Sequence, residues 1–268
     1  MIGKERRIIF MNEDLISAVV LTKNEEVNIE KCLNSLLWCD EIIVVDDYSK
    51  DETLNRIKNL ELRIKNIAIK IYERKLGGDF SGQRNFGLEK SNGKWVLFVD
   101  ADEIISKELS SEVKSQISGL KTETPVGFFI KRKDYFLGNW LNYGETNSIK
   151  LLRLGRKGAG KWIDRVHEIW DIKGVVGELK NPILHFPHSS ISQFIKKIDL
   201  YTDIVAQSWK EEGKKLSWLE ILIFPLTKFL QNYFLRLGFL DGVPGLIMAL
   251  MMSFHSFLAR AKYWLKST

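Results

Sequence analysis

Only two cysteines, Cys32 and Cys39, occur in 268 residues. Two thiols make neither a disulfide framework nor a metal-ligand pattern, which fits a reducing compartment. The basic residues form no concentrated stripe outside the C-terminal region, which argues against nucleic acid as a partner. The stretch Gly155-Arg-Lys-Gly-Ala-Gly160 has the glycines of a phosphate-binding loop but lacks its Lys-Ser or Lys-Thr ending, so it reads as a turn or a lid. Long uncharged runs are scarce as well. The longest, residues 242–259, lies at the lower edge of membrane-spanning length and contains Pro244 and His255. At the N-terminus Lys4, Arg6 and Arg7 precede an apolar run covering residues 8–11 alone. That is too short for a signal peptide, and Met11 is an alternative start.

The hydrophobic content of 45% is that of an ordinary packed core. The net charge of +6 and a pI near 9.1 suit an anionic partner, such as a phosphorylated substrate or a membrane surface, or serve solubility alone. Apolar strand-like runs cover residues 15–21 and 42–45, and Ile67, Ile69 and Ile71 alternate as a third strand. Thr22-Lys-Asn-Glu25 and Ser49-Lys-Asp-Glu52 have the form of capping boxes, each ahead of a helical apolar period. A helix is expected over residues 81–90, stopped by Asn92-Gly93. A strand then ends at Asp100, and a helix carries Leu109, Val113, Ile117 and Leu120. Strand–helix alternation with short loops is the signature of an α/β fold with a mostly parallel sheet. After residue 120 the pattern changes to strands near 127–132 and 149–154, then to an amphipathic helix over about 190–212.

The chemistry-bearing residues are acids. Asp46-Asp47 closes the second strand, Asp100-Ala-Asp102 closes the fourth, and Glu168 follows in Arg165-Val-His-Glu168. If the chain stays extended, Asp100 and Asp102 point the same way. Ends of parallel strands converge on one crevice, where several acids repel one another unless cations compensate. Asp46-Asp47 read alone is a turn element. Arg84 reads equally as a site cation or a helix-surface charge. Trp140, Tyr143 and Trp162 read as packing aromatics first and sugar-stacking platforms second.

Thr22-Lys-Asn-Glu25, Val45-Asp-Asp-Tyr-Ser-Lys-Asp-Glu-Thr53, Gln83-Arg-Asn85 and Val99-Asp-Ala-Asp-Glu103, in this order, resemble the motifs of family 2 glycosyltransferases with the GT-A fold. Arg165-Val-His-Glu168, the region of His185 and Gly238-Phe-Leu-Asp-Gly-Val-Pro-Gly245 resemble the subgroup that builds lipopolysaccharide core and related glycolipids. The resemblance covers nearly the whole chain from about residue 14. It implies an inverting transfer of a hexose from a nucleotide-activated sugar, with a divalent cation, Mg²⁺ or Mn²⁺, as cofactor. Carried over by position, Asp47 accepts a hydrogen bond from the base, with a uridine diphosphate sugar as the donor. Thr22 and Glu25 line the nucleoside pocket, and Arg84 reaches the nucleotide. Asp100 and Asp102 form the Asp-x-Asp motif, with Asp102 on the metal. Glu168 is the base that deprotonates the acceptor hydroxyl. A metal-binding histidine is expected in Ile183-Leu-His-Phe-Pro-His188; His185 is favoured over His188 because it ends an apolar run.

The implied organisation is an extension over residues 1–13, a catalytic domain over 14–188 and a helical region over 189–268. Within the domain, residues 14–120 form the nucleotide-sugar half and 121–188 the acceptor and metal half. Residues 216–268 are rich in Leu, Ile, Phe and Met and flanked by Lys214, Lys215, Lys228, Arg236, Arg260, Lys262 and Lys266. They read as a helical subdomain or as a monotopic membrane surface, lying in the plane more readily than spanning it. A lipid-linked glycan acceptor, as in the resembled subgroup, agrees with attachment at the cytoplasmic face of the inner or plasma membrane. Two rival readings are a nucleotidyltransferase acting on sugar phosphates and a membrane-bound glycan- or nucleotide-binding protein without chemistry. The first expects a glycine-rich basic loop after the first strand, where this chain has Thr22-Lys-Asn-Glu25. The second does not need Asp100, Asp102 and Glu168 together.

Overall fold

A computed structural model describes residues 15–65, 67–118, 120, 124–165, 168–187 and 190–267. The expected N-terminal extension, the alternative start at Met11, and His167 and His188 lie outside the described residues. The alternating half runs β1 (Ile16–Thr22), α1 (Ile29–Asn34), β2 (Glu41–Asp46), α2 (Thr53–Arg63), β3 (Ala68–Glu73), α3 (Phe80–Lys90), β4 (Trp95–Asp100), β5 (Glu103–Ile104) and α4 (Lys107–Ser118). The second half supplies β6 (Gly127–Phe136), β7 (Asn139–Trp140), β8 (Lys150–Arg156), β9 (Gly160–Ile163), β10 (Ile169–Ile172), β11 (Val176–Glu178) and β12 (Ile183–His185). Three helices follow: α5 (Ile191–Glu211), α6 (Trp218–Leu230) and α7 (Gly242–Ser267).

Ten strands form one mixed sheet in the order β3-β2-β1-β4-β8-β6-β12-β5, with β7 and β11 also paired to β6. β3, β2, β1 and β4 are parallel, and β8 joins antiparallel to β4 and β6. β1, β2 and β4 read as continuous apolar runs because both of their faces are covered, whereas the edge strand β3 alternates. Ala18, Val20, Ile42, Val44, Leu97 and Val99 face Leu33, Ile57, Leu109 and Val113 of the helices. The alternate residues Val19, Ile43, Val45, Val96 and Phe98 face Trp162 and Trp170 of the separate β9–β10 pair. Gly87 of α3 allows close approach to this second face, since a Cβ there would meet Val19 Cγ1 at 2.3 Å.

Register sets the site. Thr22 pairs with Asp46 and Leu21 with Asp100, so three strands end level. Two expectations fail here. Neither capping box forms, because α1 begins at Ile29 and Asn24, Ser49, Asp51 and Thr53 lace the two loops together instead. Asp100 and Asp102 do not share partners, because β4 ends at Asp100 and a turn carries Asp102.

At the opposite ends of these strands, Glu41 accepts hydrogen bonds from Ser17 Oγ at 2.6 Å, Lys70 Nζ at 2.8 Å and Asn92 Nδ2 at 2.9 Å. Burial works to raise its pKa, but these donors outweigh it and hold the carboxyl at about 2. The depressed value means that stability is present above the ordinary carboxylate range and is lost as pH falls from about 4.5 towards 2. Glu41→Gln is expected to cost about 1–3 kcal/mol at pH 7. Urea unfolding at several pH values checks this: the variant loses less stability than the parent across that acid window.

Candidate functional site

The loops after β1 and β2 are stitched by side chains on backbone. Asn24, in the left-handed region at φ 53°, accepts from Lys50 N at 2.7 Å through Oδ1, while its own N–H donates to Ser49 Oγ at 2.8 Å. Glu25 N donates to Thr53 Oγ1 at 2.8 Å, and Glu26 N to Asp51 Oδ2 at 3.1 Å. Asp46 is the turn element, accepting from Ser49 N and Ser49 Oγ. Asp47 is turned differently: Oδ1 accepts from Leu76 N at 2.9 Å, and Oδ2 meets Lys23 Nζ at 2.5 Å. The hydroxyl of Thr22 is buried with no hydrogen-bond partner among the described residues.

Each residue of Gln83-Arg84-Asn85 leaves α3 in a different direction, as successive helical positions must. Gln83 exchanges two hydrogen bonds with Arg74, through its side chain and its carbonyl. Asn85 clamps β9, donating to Trp162 O at 2.8 Å and accepting from Trp162 N at 2.9 Å. Arg84 runs inward and is 3% exposed, which removes its reading as a surface charge. Its Nε donates to Glu168 Oε1 at 2.9 Å and its Nη2 to Asp100 Oδ1 at 3.0 Å, with the guanidinium 4.8 Å from the Trp162 ring centroid. Nη1 is buried without a partner among the described residues. Trp162 is packing, not a sugar platform: it is buried, stacked on Trp170 at 5.4 Å and edge-on to Phe98. That aromatic layer fixes β9–β10, and Glu168 immediately precedes β10.

Asp100 is held from the other side by Arg153 of β8, whose Nη2 donates to Oδ2 at 2.6 Å. The same Arg153 lies 3.8 Å from Glu103, a carboxylate with no exposure whose pKa burial raises. Asp100, despite its burial, is driven well below the usual carboxylate range by Arg153 and Arg84. Both of its oxygens are therefore committed to guanidinium groups.

Asp102 faces a separate set. His185 Nε2 lies 3.5 Å from Oδ1, and Lys197 Nζ of α5 donates to Oδ2 at 3.2 Å. The register of β12 with β6 and β5 places His185 beside Asp134 and Glu103. Asp134 Oδ1 is 2.8 Å from His185 Nδ1 and also accepts from Arg132 Nε at 3.1 Å. Burial opposes a charge on the imidazole, but Asp102 and Asp134 outweigh it and lift its pKa to about 9. Lys197 continues to Pro187 O at 3.0 Å and lies 3.8 Å from Glu25, whose pKa is raised by burial and by Asp102. A polar-edged cavity of about 70 Å³ opens against Asp102, lined by Asn28, Lys31, Ala101, Ile104 and Phe186.

A divalent cation fits this donor set on one condition. No cluster of three metal-ligating side chains forms among the described residues. Asp102 offers a carboxylate oxygen, and His185 offers a ring nitrogen once its imidazolium yields the Nε2 proton to the incoming ion; Asp134 then fixes the imidazole from behind as carboxylates do for ligating histidines. Such a pair matches a hard ion that takes its remaining ligands from substrate phosphates and water.

The structure joins Arg84, Asp100 and Glu168 in one network and Glu25, Asp102 and His185 in another. Asp47 and Thr22 stand at the neighbouring strand ends. Sequence reading missed Arg153, Glu103, Asp134 and Lys197. Arg153 was detectable as a lone cation inside Leu-Leu-Arg-Leu of a buried strand, which requires a buried acid. Lys197 carries no such signal, since it sits among polar positions of an amphipathic helix. Arg153→Met is expected to cost about 3–5 kcal/mol in urea unfolding at pH 7, because it strips the cation from Asp100 and Glu103 together. A loss under 1 kcal/mol would show the buried network to be dispensable.

Comparison with known proteins agrees with this geometry. The sequence model of glycosyl transferase family 2 matches residues 17–169. Over 252 residues the chain is 29% identical to a lipopolysaccharide core biosynthesis glycosyltransferase, LpsC, of Rhizobium meliloti, covering 93% of this chain and 92% of that protein. It is 28% identical over 258 residues to an uncharacterized glycosyltransferase of Rickettsia typhi, covering 92% and 86% respectively. Among solved structures, a mannosyltransferase of Pyrobaculum calidifontis, in complex with GDP-Man and Mn²⁺, superposes with a TM-score of 0.52 at 14% identity. The match spans 96% of this chain and 89% of that one, and shows a shared GT-A fold. With its strand-end acids, its Gln-Arg-Asn helix and its match over more than half its length, the chain belongs to glycosyl transferase family 2.

Proposed function

We propose that the protein is a metal-dependent inverting glycosyltransferase that moves a sugar from a uridine diphosphate sugar to a hydroxyl of a lipid-linked glycan such as lipopolysaccharide core. The observation that carries this is the Glu168–Arg84–Asp100 chain, which ties a candidate base to the Asp-x-Asp acids through one buried guanidinium. Glu168 accepts the proton of the acceptor hydroxyl as that oxygen attacks the anomeric carbon, and one displacement inverts the centre. Arg84 holds the carboxylate that does this and keeps it aligned with Asp100. Arg84 Nη1 and Thr22 Oγ1 are buried beside the cleft without hydrogen-bond partners among the described residues. Asp47, anchored by Lys23 and Leu76 N, takes the base, and Glu25 lines the same pocket. Asp102 and His185 would hold the divalent cation, which supplies Lewis-acid stabilisation of the departing diphosphate. The name of the Rhizobium relative supports the acceptor class.

Glu168→Gln is expected to leave the thermal shift by UDP and Mn²⁺ intact while lowering transfer about 10²–10⁴-fold. Asp102→Ala is expected to abolish the Mn²⁺-dependent part of that shift. Transfer surviving in Glu168→Gln would assign the base elsewhere.

The acceptor's lipid has a counterpart in the C-terminal helices. None of α6 is buried, and Trp218, Leu222, Ile223 and Leu226 are each more than half exposed. Residues 238–267 are long and apolar enough to cross a membrane, their most apolar 18-residue window having a mean hydropathy of 1.5. Yet α7 is bound along its last turns to α5, where Lys262 meets Asp199 and Asp203. Ser253 Oγ also donates to the Pro225 carbonyl of α6 at 2.7 Å. This pairing favours helices lying in the cytoplasmic face of the membrane, cations at the headgroups and α6 side chains in the acyl layer. Leu222→Asp combined with Leu226→Asp is expected to shift most of the protein out of floated vesicles containing anionic lipid. Undiminished flotation would place the contact on another surface.

A further inference from the structure

Lys197 stands apart from the other residues of the C-terminal helical region. It belongs to α5, whose other side chains pack Phe194 and Ile198 against Phe136, Leu141 and Met248. Its ammonium nevertheless crosses to the strand ends, donating to Asp102 at 3.2 Å and to Pro187 O at 3.0 Å and lying 3.8 Å from Glu25. One turn on, Tyr201 stacks on Phe80 at the start of α3, so α5 lies across the mouth of the acid-lined cleft.

The two cations on Asp102 differ in freedom. His185 is fixed by its bond to Asp134, and its ring nitrogen can only face Asp102. Lys197 ends a flexible four-carbon stem, its side chain is 36% exposed, and its three donors suit phosphate oxygens as well as carboxylates. A divalent ion seated between Asp102 and His185 would share that carboxylate with the ammonium, and like charges so close together repel. The mobile partner must give way, and the nearest new anion in an occupied cleft is the donor's diphosphate.

We propose that Lys197 is a donor-binding residue supplied by the C-terminal helices: it occupies Asp102 in the free protein and passes to the diphosphate when a divalent cation takes that carboxylate. This rests on the reading of the cleft as a nucleotide-sugar site. Lys197 then competes with the bare metal but assists the nucleotide, two effects of opposite sign that a packing residue would not produce.

The test uses the full chain and the variants K197M and K197R. Mn²⁺ alone is followed by the paramagnetic resonance of the free ion, and UDP at saturating Mn²⁺ by calorimetry. K197M is expected to bind Mn²⁺ alone several-fold tighter and UDP about tenfold weaker, the loss of one charge-assisted hydrogen bond. K197R should bring UDP back to within about threefold of the parent. K197Q, read against the parent's circular dichroism and melting temperature, replaces K197M if that variant does not fold. Unchanged UDP affinity, or metal and UDP affinities that fall together, overturns the assignment of Lys197 alone. A parent chain that binds neither UDP nor GDP with Mn²⁺ overturns the donor-site reading and this assignment with it.

Discussion

The buried Arg84 guanidinium is the contact on which the site's geometry depends. It faces Asp100 on one side, Glu168 on another and the Trp162 ring beneath. These three come from β4, from the segment before β10 and from β9, so one side chain ties the parallel sheet to the later antiparallel pair. A guanidinium suits this task because its planar fork can donate in two directions while its face rests on an indole. The flanking residues hold the helix that carries it: Asn85 fastens β9, and Gln83 fastens the end of β3 through Arg74. Loss of the alignment between Asp100 and Glu168 would leave the acids in the molecule but not in one site.

Around this centre the acids are neutralised by the chain's own cations. Arg153 shares Asp100 with Arg84, His185 and Lys197 share Asp102, and Lys23 takes Asp47. A buried carboxylate without such a partner would be protonated or would unfold its surroundings. Asp102 and Asp100 stay far below their ordinary pKa, while Glu103 and Glu25, less fully paired, are raised. Neighbouring acids therefore differ in readiness to hold a charge, and the difference follows from which cation each one reaches.

The parallel half of the fold was legible because β1, β2 and β4 are buried on both faces and so show as unbroken apolar runs. The helix over Ile191–Glu211 was legible from its stripe of Phe194, Ile198, Thr202 and Val205. The capping boxes misled because Ser, Thr, Asp and Asn serve loops as readily as helix starts; here Asn24, Ser49, Asp51 and Thr53 bond across two loops that are distant in sequence. The acids stood out as charges at the ends of apolar strands. Their partners did not, since Asp134 and Lys197 lie in polar stretches, and only folding brings them within 4 Å of His185 and Asp102.

That α5 closes over the cleft also bears on the helices beyond it. α5 is in turn fastened by Lys262 and Lys266 of the last helix. The closing turns of α7 thus secure the helix that lies over the cleft. The acid-lined cleft and the exposed apolar helices are thus joined through α5, and a change in one is felt in the other.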